Sequence, residues 1–443
     1  PFTLQDITVK GVEAGYTIAA SEEYAGGAVG EAIGGSIQNV SLEDAGAVSA
    51  ASRVGGFAGL IGPGDLAGTG GLEINLLGIP LLKASNLLSV GQALGVEILN
   101  CHTVGIPSGM TVRAAGLQSP FESTAGGFAA QANSAKIHNA SVSQLDSVTA
   151  DFNLGIAGGF VGKSVTGGLA EVSDKTELSG IINAGNLISA VEYMIPQYED
   201  CTVGFVGKSL VEADIAGGFT GDFQSGKVNN TETSDTTAVR NLSEVHGGRY
   251  AGGFGGKVTS GALASSSGGV SILGILGEAS IKINDLLGVI EAYVPIIKQA
   301  SVQSSETGLI VIADRVDDTD SDSGSAGGFI GYGSGVQGTS SHVNKLKHTI
   351  VTPPEKLESS QAPEYFDPKL SAYSVTGARY AGGYIGNMDV GSAASVGESL
   401  KVLGSSLSLK DVLGALAVVV STIEHSSVTG QPGGFSVLAS NVS

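Results

Sequence analysis

The stretch Ala251-Gly252-Gly253-Phe254-Gly255-Gly256-Lys257-Val258 decides how this 443-residue chain is read. Alone, it suggests a glycine-rich phosphate loop. It is not alone: AGGFVGKS starts at Ala157, AGGFTGDF at Ala216, AGGFIGYG at Ala326 and AGGYIGNM at Ala381. The Gly-Gly-aromatic core begins at Gly55, Gly126, Gly158, Gly217, Gly252, Gly327, Gly382 and Gly433, with a degenerate copy lacking the aromatic at Gly26. The candidate structural residues are its second glycine and its ring. They are Gly56 and Phe57, Gly127 and Phe128, Gly159 and Phe160, Gly218 and Phe219, Gly253 and Phe254, Gly328 and Phe329, Gly383 and Tyr384, and Gly434 and Phe435. Seven of the 13 phenylalanines sit in this motif, which marks a repeat array rather than one site.

The phosphate reading fails on spacing. A Walker loop needs Gly-x-x-x-x-Gly-Lys-Ser/Thr so that successive backbone N–H groups wrap a phosphate. Gly162-Lys163-Ser164 and Gly207-Lys208-Ser209 supply its end, but Ala157 and Thr202 stand where the first glycine must be. The structural reading is that glycine permits positive φ and close backbone approach at a tight corner. The rings then stack in a buried column, repeat on repeat.

Beyond each motif the pattern also recurs, as GGSIQNVS from Gly34, SAKIHNAS from Ser134 and SGKVNNTE from Ser225. Alternating aliphatic and polar residues give the period of a strand. Motif intervals of 29, 32 and 35 residues suit one coil of a β-solenoid, a unit that buries its apolar face only by stacking. The expected fold is mainly β: a parallel β-helix, right-handed by the general chirality preference, forming one elongated domain of irregular coils over residues 1–443.

Other intervals run from 51 to 75 residues and hold a second repeat. It reads NLLSVGQALGVEILNC from Asn86, NLISAVEYMIPQYEDC from Asn186, DLLGVIEAYVPIIKQA from Asp285 and DVLGALAVVVSTIEHS from Asp411. Asn or Asp at the start is a good helix cap, and apolar residues then recur at three- and four-residue steps. This predicts four amphipathic helical insertions, near 86–100, 186–199, 285–298 and 411–425, stacked along one side. Pro196 and Pro295 fall inside two of them and are expected to end or bend those helices. A small residue closes each copy: Cys101, Cys201, Ala300 and Ser426.

Charge narrows the function. Acids outnumber bases 42 to 22, a net charge of −20, which argues against a nucleic-acid partner. No apolar run reaches the 18 or so residues of a membrane span. Two cysteines are too few for a disulfide framework. At equivalent positions one large repeat apart they are beyond the roughly 7 Å Cα separation of a disulfide, so buried free thiols are expected. The chain opens on PFTLQDITVKG without a signal peptide, which reads as a segment of a longer precursor.

Chemistry-bearing patterns are sparse. The six histidines show no paired spacing and there is no Cys-x-x-Cys, which disfavours zinc. Asp318, Asp320 and Asp322 alternate before Gly324 like the start of an EF-hand loop, and form a calcium candidate. The glycine comes one place late, however, and the twelfth position is Phe329 rather than Glu. No other cofactor is expected. Glycan-cleaving β-helices need two or three acids converging on one face. No acid recurs at one coil position here, so no enzyme is expected. A glycan-active site assembled from separate coils is the alternative. Asn-x-Ser/Thr occurs at Asn39, Asn139, Asn229, Asn241 and Asn441, several within the repeat, where turn or ladder roles outweigh glycan attachment.

The Gly-Gly-Phe-x-Gly core, its Gly/Ser turn and the following Ile/Val-x-Asn-x-Ser strand resemble the GLUG motif. That short repeat occurs in large bacterial surface proteins and in non-catalytic parts of secreted IgA-cleaving metallopeptidases. The resemblance covers scattered cores of about 15 to 20 residues and leaves the helical insertions unexplained. No His-Glu-x-x-His is present, so peptidase activity does not carry over. The resemblance implies an extracellular, bacterial cell-surface module with a structural or adhesive role. Its expected partner is a host or cell-surface protein or glycan, with end-to-end self-association into filaments as another outcome.

Overall fold

The computed structural model describes residues 2–12, 14–21, 23–63, 95–116, 122–166, 195–231, 237–260, 293–317, 319–351, 379–389, 420–430 and 436–439. Their regular structure is strand alone, and the strands pair in parallel. Each Gly-Gly-aromatic copy from Gly55 to Gly382 is a corner. A short strand such as Arg53–Gly55 enters it and a second, Ala58–Gly62, leaves it. The leaving strands, from Val29–Ile33 to Ile385–Asp389, lie in chain order in an eight-stranded sheet. The rest form a 25-stranded sheet.

The chain thus runs in successive passes, through the large sheet, round the corner and along the small sheet. The first spans 2–33, the second 35–62, the third 96–133, the fourth 136–165 and the fifth 197–224. The sixth spans 227–259, the seventh 296–334, the eighth 337–389 and the ninth 422–439. Register holds across them: Ala25, Val54, Ala125, Ala157, Ala216, Ala251, Ala326 and Ala381 form one paired row. Ile37, Ile98, Ile137, Tyr198, Val228 and Ile297 form another and are fully buried. Burying each such side chain contributes about 1.5–3 kcal/mol.

The corner glycines owe their place to crowding, not to handedness. None of them has positive φ. A Cβ on Gly126 would lie 1.8 Å from the Ala129 carbonyl oxygen, and one on Gly127 would lie 2.0 Å from the Gly159 oxygen of the next pass. The expectation of positive φ there is corrected to close approach alone. This crowding lets the Phe128 carbonyl accept from both Phe57 N and Ala58 N, at 2.8 and 2.9 Å.

The rings stack as expected. Phe57, Phe128, Phe160, Phe219, Phe254, Phe329 and Tyr384 follow one another with centroids 4.6–4.9 Å apart and planes within 15°. The six phenylalanines are buried. The spacing is that of the strand ladder, about 4.8 Å, and falls where aromatic pairs add about 0.5–1.5 kcal/mol beyond burial.

Left-handed backbone sits at another corner. Asp6, Asn39, Asn100, Asn139 and Asp200 have φ between 48° and 54°. Asparagine tolerates this region better than most residues. Here the side chains also form a ladder: Asn39 Nδ2 donates to Asp6 at 2.8 Å, Asn100 to Asn39 at 3.1 Å and Asn139 to Asn100 at 2.8 Å. Beside it, Ala140 is flanked by Cys101 and Cys201, whose thiols are free and buried. Two strand spacings, about 9.6 Å, keep the sulfurs apart.

A further expectation is corrected. Of the four helices, the parts near 86–94, 186–194, 285–292 and 411–419 lie outside the described residues, while the described ends are not helical. Val96–Gly105, Gln197–Glu199, Ile296–Lys298 and Thr422–Glu424 are strands. Val96 and Ile98 point inward and Glu97 outward, a period of two that prevails over the helical spacing upstream. Pro196 and Pro295 come just before strands, where a missing N–H costs no ladder bond, and their carbonyls accept from Lys227 N and Gln337 N.

Gly434 and Phe435 lie outside the described residues, but the strand after them, Ser436–Ala439, pairs with His348–Val351 of the large sheet. Other copies lead into the small sheet. Only four residues separate Val428 from Gly433, whereas twelve separate the equivalent Leu42 from Gly55.

Candidate functional site

Among the described residues, the densest set of paired charged groups lies on the flank where the large sheet approaches the Gly-Gly corners. Its centre is Asp214 of the fifth pass, whose side chain is 0% exposed. A buried carboxylate needs ionic partners, and it has two. Arg249 of the sixth pass donates from Nε and Nη2 to Asp214 Oδ2 at 2.8 and 2.7 Å, and its backbone N–H reaches Oδ1 at 3.1 Å. Arg315 of the seventh pass reaches Oδ1 at 2.5 Å. Burial pushes the Asp214 carboxyl up from its ordinary value, and the two arginines pull against that rise.

Two further passes join. Arg315 also donates to the side chain and carbonyl of Asn153 in the fourth pass, at 3.2 and 2.7 Å. Arg249 Nη1 stands 3.6 Å from Asp320 and 4.0 Å from Asp317. Tyr250 donates its hydroxyl to Asp320 at 2.6 Å, and burial with this carboxylate raises the phenol. Arg379 of the eighth pass donates to the Asp320 carbonyl at 2.8 Å. Nearby, His246 bonds Asp314 at 2.7 Å with its ring edge-on to Phe152. Burial pulls His246 down, but the Asp314 bond and charge, with Glu212 and Glu244, outweigh it and raise the imidazole.

The calcium candidates therefore have other partners here. Asp320 turns to Tyr250 and Arg249, and Asp322 accepts from Asn387 at 3.3 Å. Asp318 lies outside the described residues. Among those described, no group of three metal-ligating side chains forms. Of the two Lys-Ser pairs of the phosphate reading, Lys163-Ser164 lies on a strand of the small sheet and Lys208-Ser209 on Thr202–Gly217 of the large one. Lys163 pairs with both Glu122 oxygens at 2.7 and 2.9 Å, and Ser164 accepts from Tyr198 at 2.8 Å.

Sequence spacing did not reveal this network, because its members lie far apart along the chain. A signal was present nonetheless. Arg-Tyr-Ala-Gly-Gly occurs at Arg249 and again at Arg379, in a chain with only 22 basic residues. Both arginines hold the acidic segment 314–323 between them. Chemically, Asp214 is bonded to two arginines and Asp320 to tyrosine and arginine, while Asp314 faces His246 and Asp322 faces Asn387. No family model, curated protein or solved structure matches this chain.

Proposed function

We propose that this chain is a right-handed β-solenoid, a single elongated domain. Its role is that of a non-catalytic structural or adhesive module on a bacterial cell surface, displaying sites for a host or cell-surface protein or glycan. The observation that carries the reading is the uninterrupted ring column from Phe57 to Tyr384 in register with parallel strands. Such stacking builds length at about 4.8 Å per pass, which suits a stalk. The net charge of −20 favours separation of neighbouring modules. The resemblance to the GLUG motif supports the surface location, and the arginine-bound acids support a non-catalytic role.

The test is binding of the purified chain to immobilised glycans and matrix proteins, with product analysis on the same panel. Saturable binding without turnover is the expected result. Turnover of a glycan would replace this reading with the enzymatic alternative, and a cytosolic location in the cells that make it would end the surface assignment.

One observation favours self-association as a second reading. Most of the large hydrophobics seen exposed among the described residues lie on the outermost passes. Val9, Val12 and Ile33 are on the first, and Tyr380, Met388, Val420 and Val437 are on or beside the eighth and ninth. Filaments growing with protein concentration under electron microscopy would support it.

A further inference from the structure

The fifth and sixth passes approach the Gly-Gly corner within single strands, Thr202–Gly217 and Glu244–Gly252. The seventh inserts residues 314–324 between Leu309–Ala313 and Ser325–Gly327. This segment folds back over its neighbours. Asp314 N, Arg315 N and Gly324 N donate to the carbonyls of Gly247, Gly248 and Arg249 at 3.2, 2.8 and 2.9 Å. Arg315 reaches back to Asp214 and Asn153, Asp320 to Tyr250, and Arg379 comes in from the eighth pass. Within the acidic loop, the Arg249 guanidinium occupies the place a cation would take, faced by Asp214, Asp320 and Asp317.

We propose that residues 314–323 are a latch, fastened by Arg249 in place of a metal ion, that ties the fourth to eighth passes together and opens without unstacking them. The two parts of the structure are held by different forces. The passes are held by buried apolar rows and backbone ladders. The latch has one apolar side chain, Val316, and it is only half-buried. Many of its remaining bonds are internal, from Thr319 N to Asp317, Asp320 N to Asp317 O and Ser323 N to Asp320 O. A segment with little apolar burial opens at lower free energy than the core beneath it. Removing Asp214 leaves two arginines without their shared buried partner, which selectively weakens the latch.

The experiment is hydrogen exchange by mass spectrometry on the full chain, for wild type, Asp214→Asn and Arg315→Gln. In both variants, peptides covering 314–323 and 151–155 are expected to exchange about tenfold faster or more, while Ala129–Asn133 keeps its protection. EGTA should leave the wild-type segment unchanged. If Asp214→Asn fails to fold, Arg315→Gln decides, because it keeps the Asp214–Arg249 pair. Unchanged exchange in the folded variants overturns the latch, and so does acceleration of latch and strands together. Loosening by EGTA overturns the role given to Arg249. The latch rests on the stacked passes and not on adhesion, so a chain that binds no glycan or protein leaves this result standing.

Discussion

At the scale of single residues, the corner is governed by distances below van der Waals contact. Gly126 cannot accept a methyl group, because the nearest atom to a Cβ is a backbone oxygen at 1.8 Å rather than a side chain that could move. Gly126→Ala is expected to cost about 3 kcal/mol or more, the upper range for overpacking. Gly30 is the control. A Cβ there meets nothing nearer than the Tyr24 oxygen at 3.5 Å, so Gly30→Ala should change stability by no more than about 0.5 kcal/mol. Urea unfolding of both variants checks the pair. Equal effects would mean that glycine is kept at the corner for some reason other than space. The motif was legible in the sequence because this constraint repeats at a fixed place. Close approach was read correctly and positive φ was not, because spacing does not distinguish a left-handed glycine from a crowded one.

At the scale of elements, the asparagine corner separates backbone from side-chain contributions. Asn100 combines a φ of 54° with one ladder bond given and one received. Asn100→Gly relieves the backbone strain but loses the side-chain bonds, about 1 kcal/mol each, with glycine's extra chain entropy added. Asn100→Ala loses the same bonds and adds a left-handed penalty of about 1 kcal/mol. The alanine variant should therefore be the less stable of the two in thermal unfolding. If the glycine variant is the weaker, glycine's extra chain entropy outweighs the left-handed penalty at this corner, and the backbone angle does not account for asparagine here. This corner was visible as Asn-x-Ser strands. The ends of the supposed helices were not, because Leu-rich spacing upstream runs into strands such as Gln197–Glu199 without a glycine to mark the change. Packing against the neighbouring pass decides such segments, and local pattern does not.

The flank network shows how an element depends on pH. His246 faces Asp314 on the latch and Glu212 on the adjacent strand, with Glu244 on its own strand, and its folded pKa is raised above the ordinary 6.5. A raised folded value means that its stabilisation is fully present below the unfolded pKa and is lost as pH rises through the folded one. Wild type should therefore lose stability relative to His246→Gln as pH rises above the ordinary imidazole value, measured by urea unfolding at each pH. A gap that widens with rising pH would show that His246 is held neutral instead. Nothing in the sequence near His246 announced this pairing, since Asp314 lies 68 residues away and arrives only through stacking.

At the scale of the whole molecule, each pass touches mainly the next, so stability should build pass by pass rather than all at once. The strand registers bear this out: pairs join adjacent passes along the stack, as Ala157 joins Ala216 and Ala216 joins Ala251. A chain ended after Thr259 would keep six passes, the column from Phe57 to Phe254 and the Asp214–Arg249 pair, while losing Arg315 and the latch. A globular domain cut at this point would lose its core and unfold. A linear stack should instead retain its strand-type circular dichroism in proportion to its length. Its melting temperature should fall by several degrees, because the Phe254 ring and one sheet edge become exposed. The comparison that decides is hydrogen exchange in the second and third passes, which lie well away from the cut and outside the reach of the latch. Protection there should match the full chain within about threefold, since those passes keep both neighbours. Collapse of that protection along with the rest would mean that the passes fold as one cooperative unit, and that the repeat visible in the sequence describes geometry without describing how stability is divided.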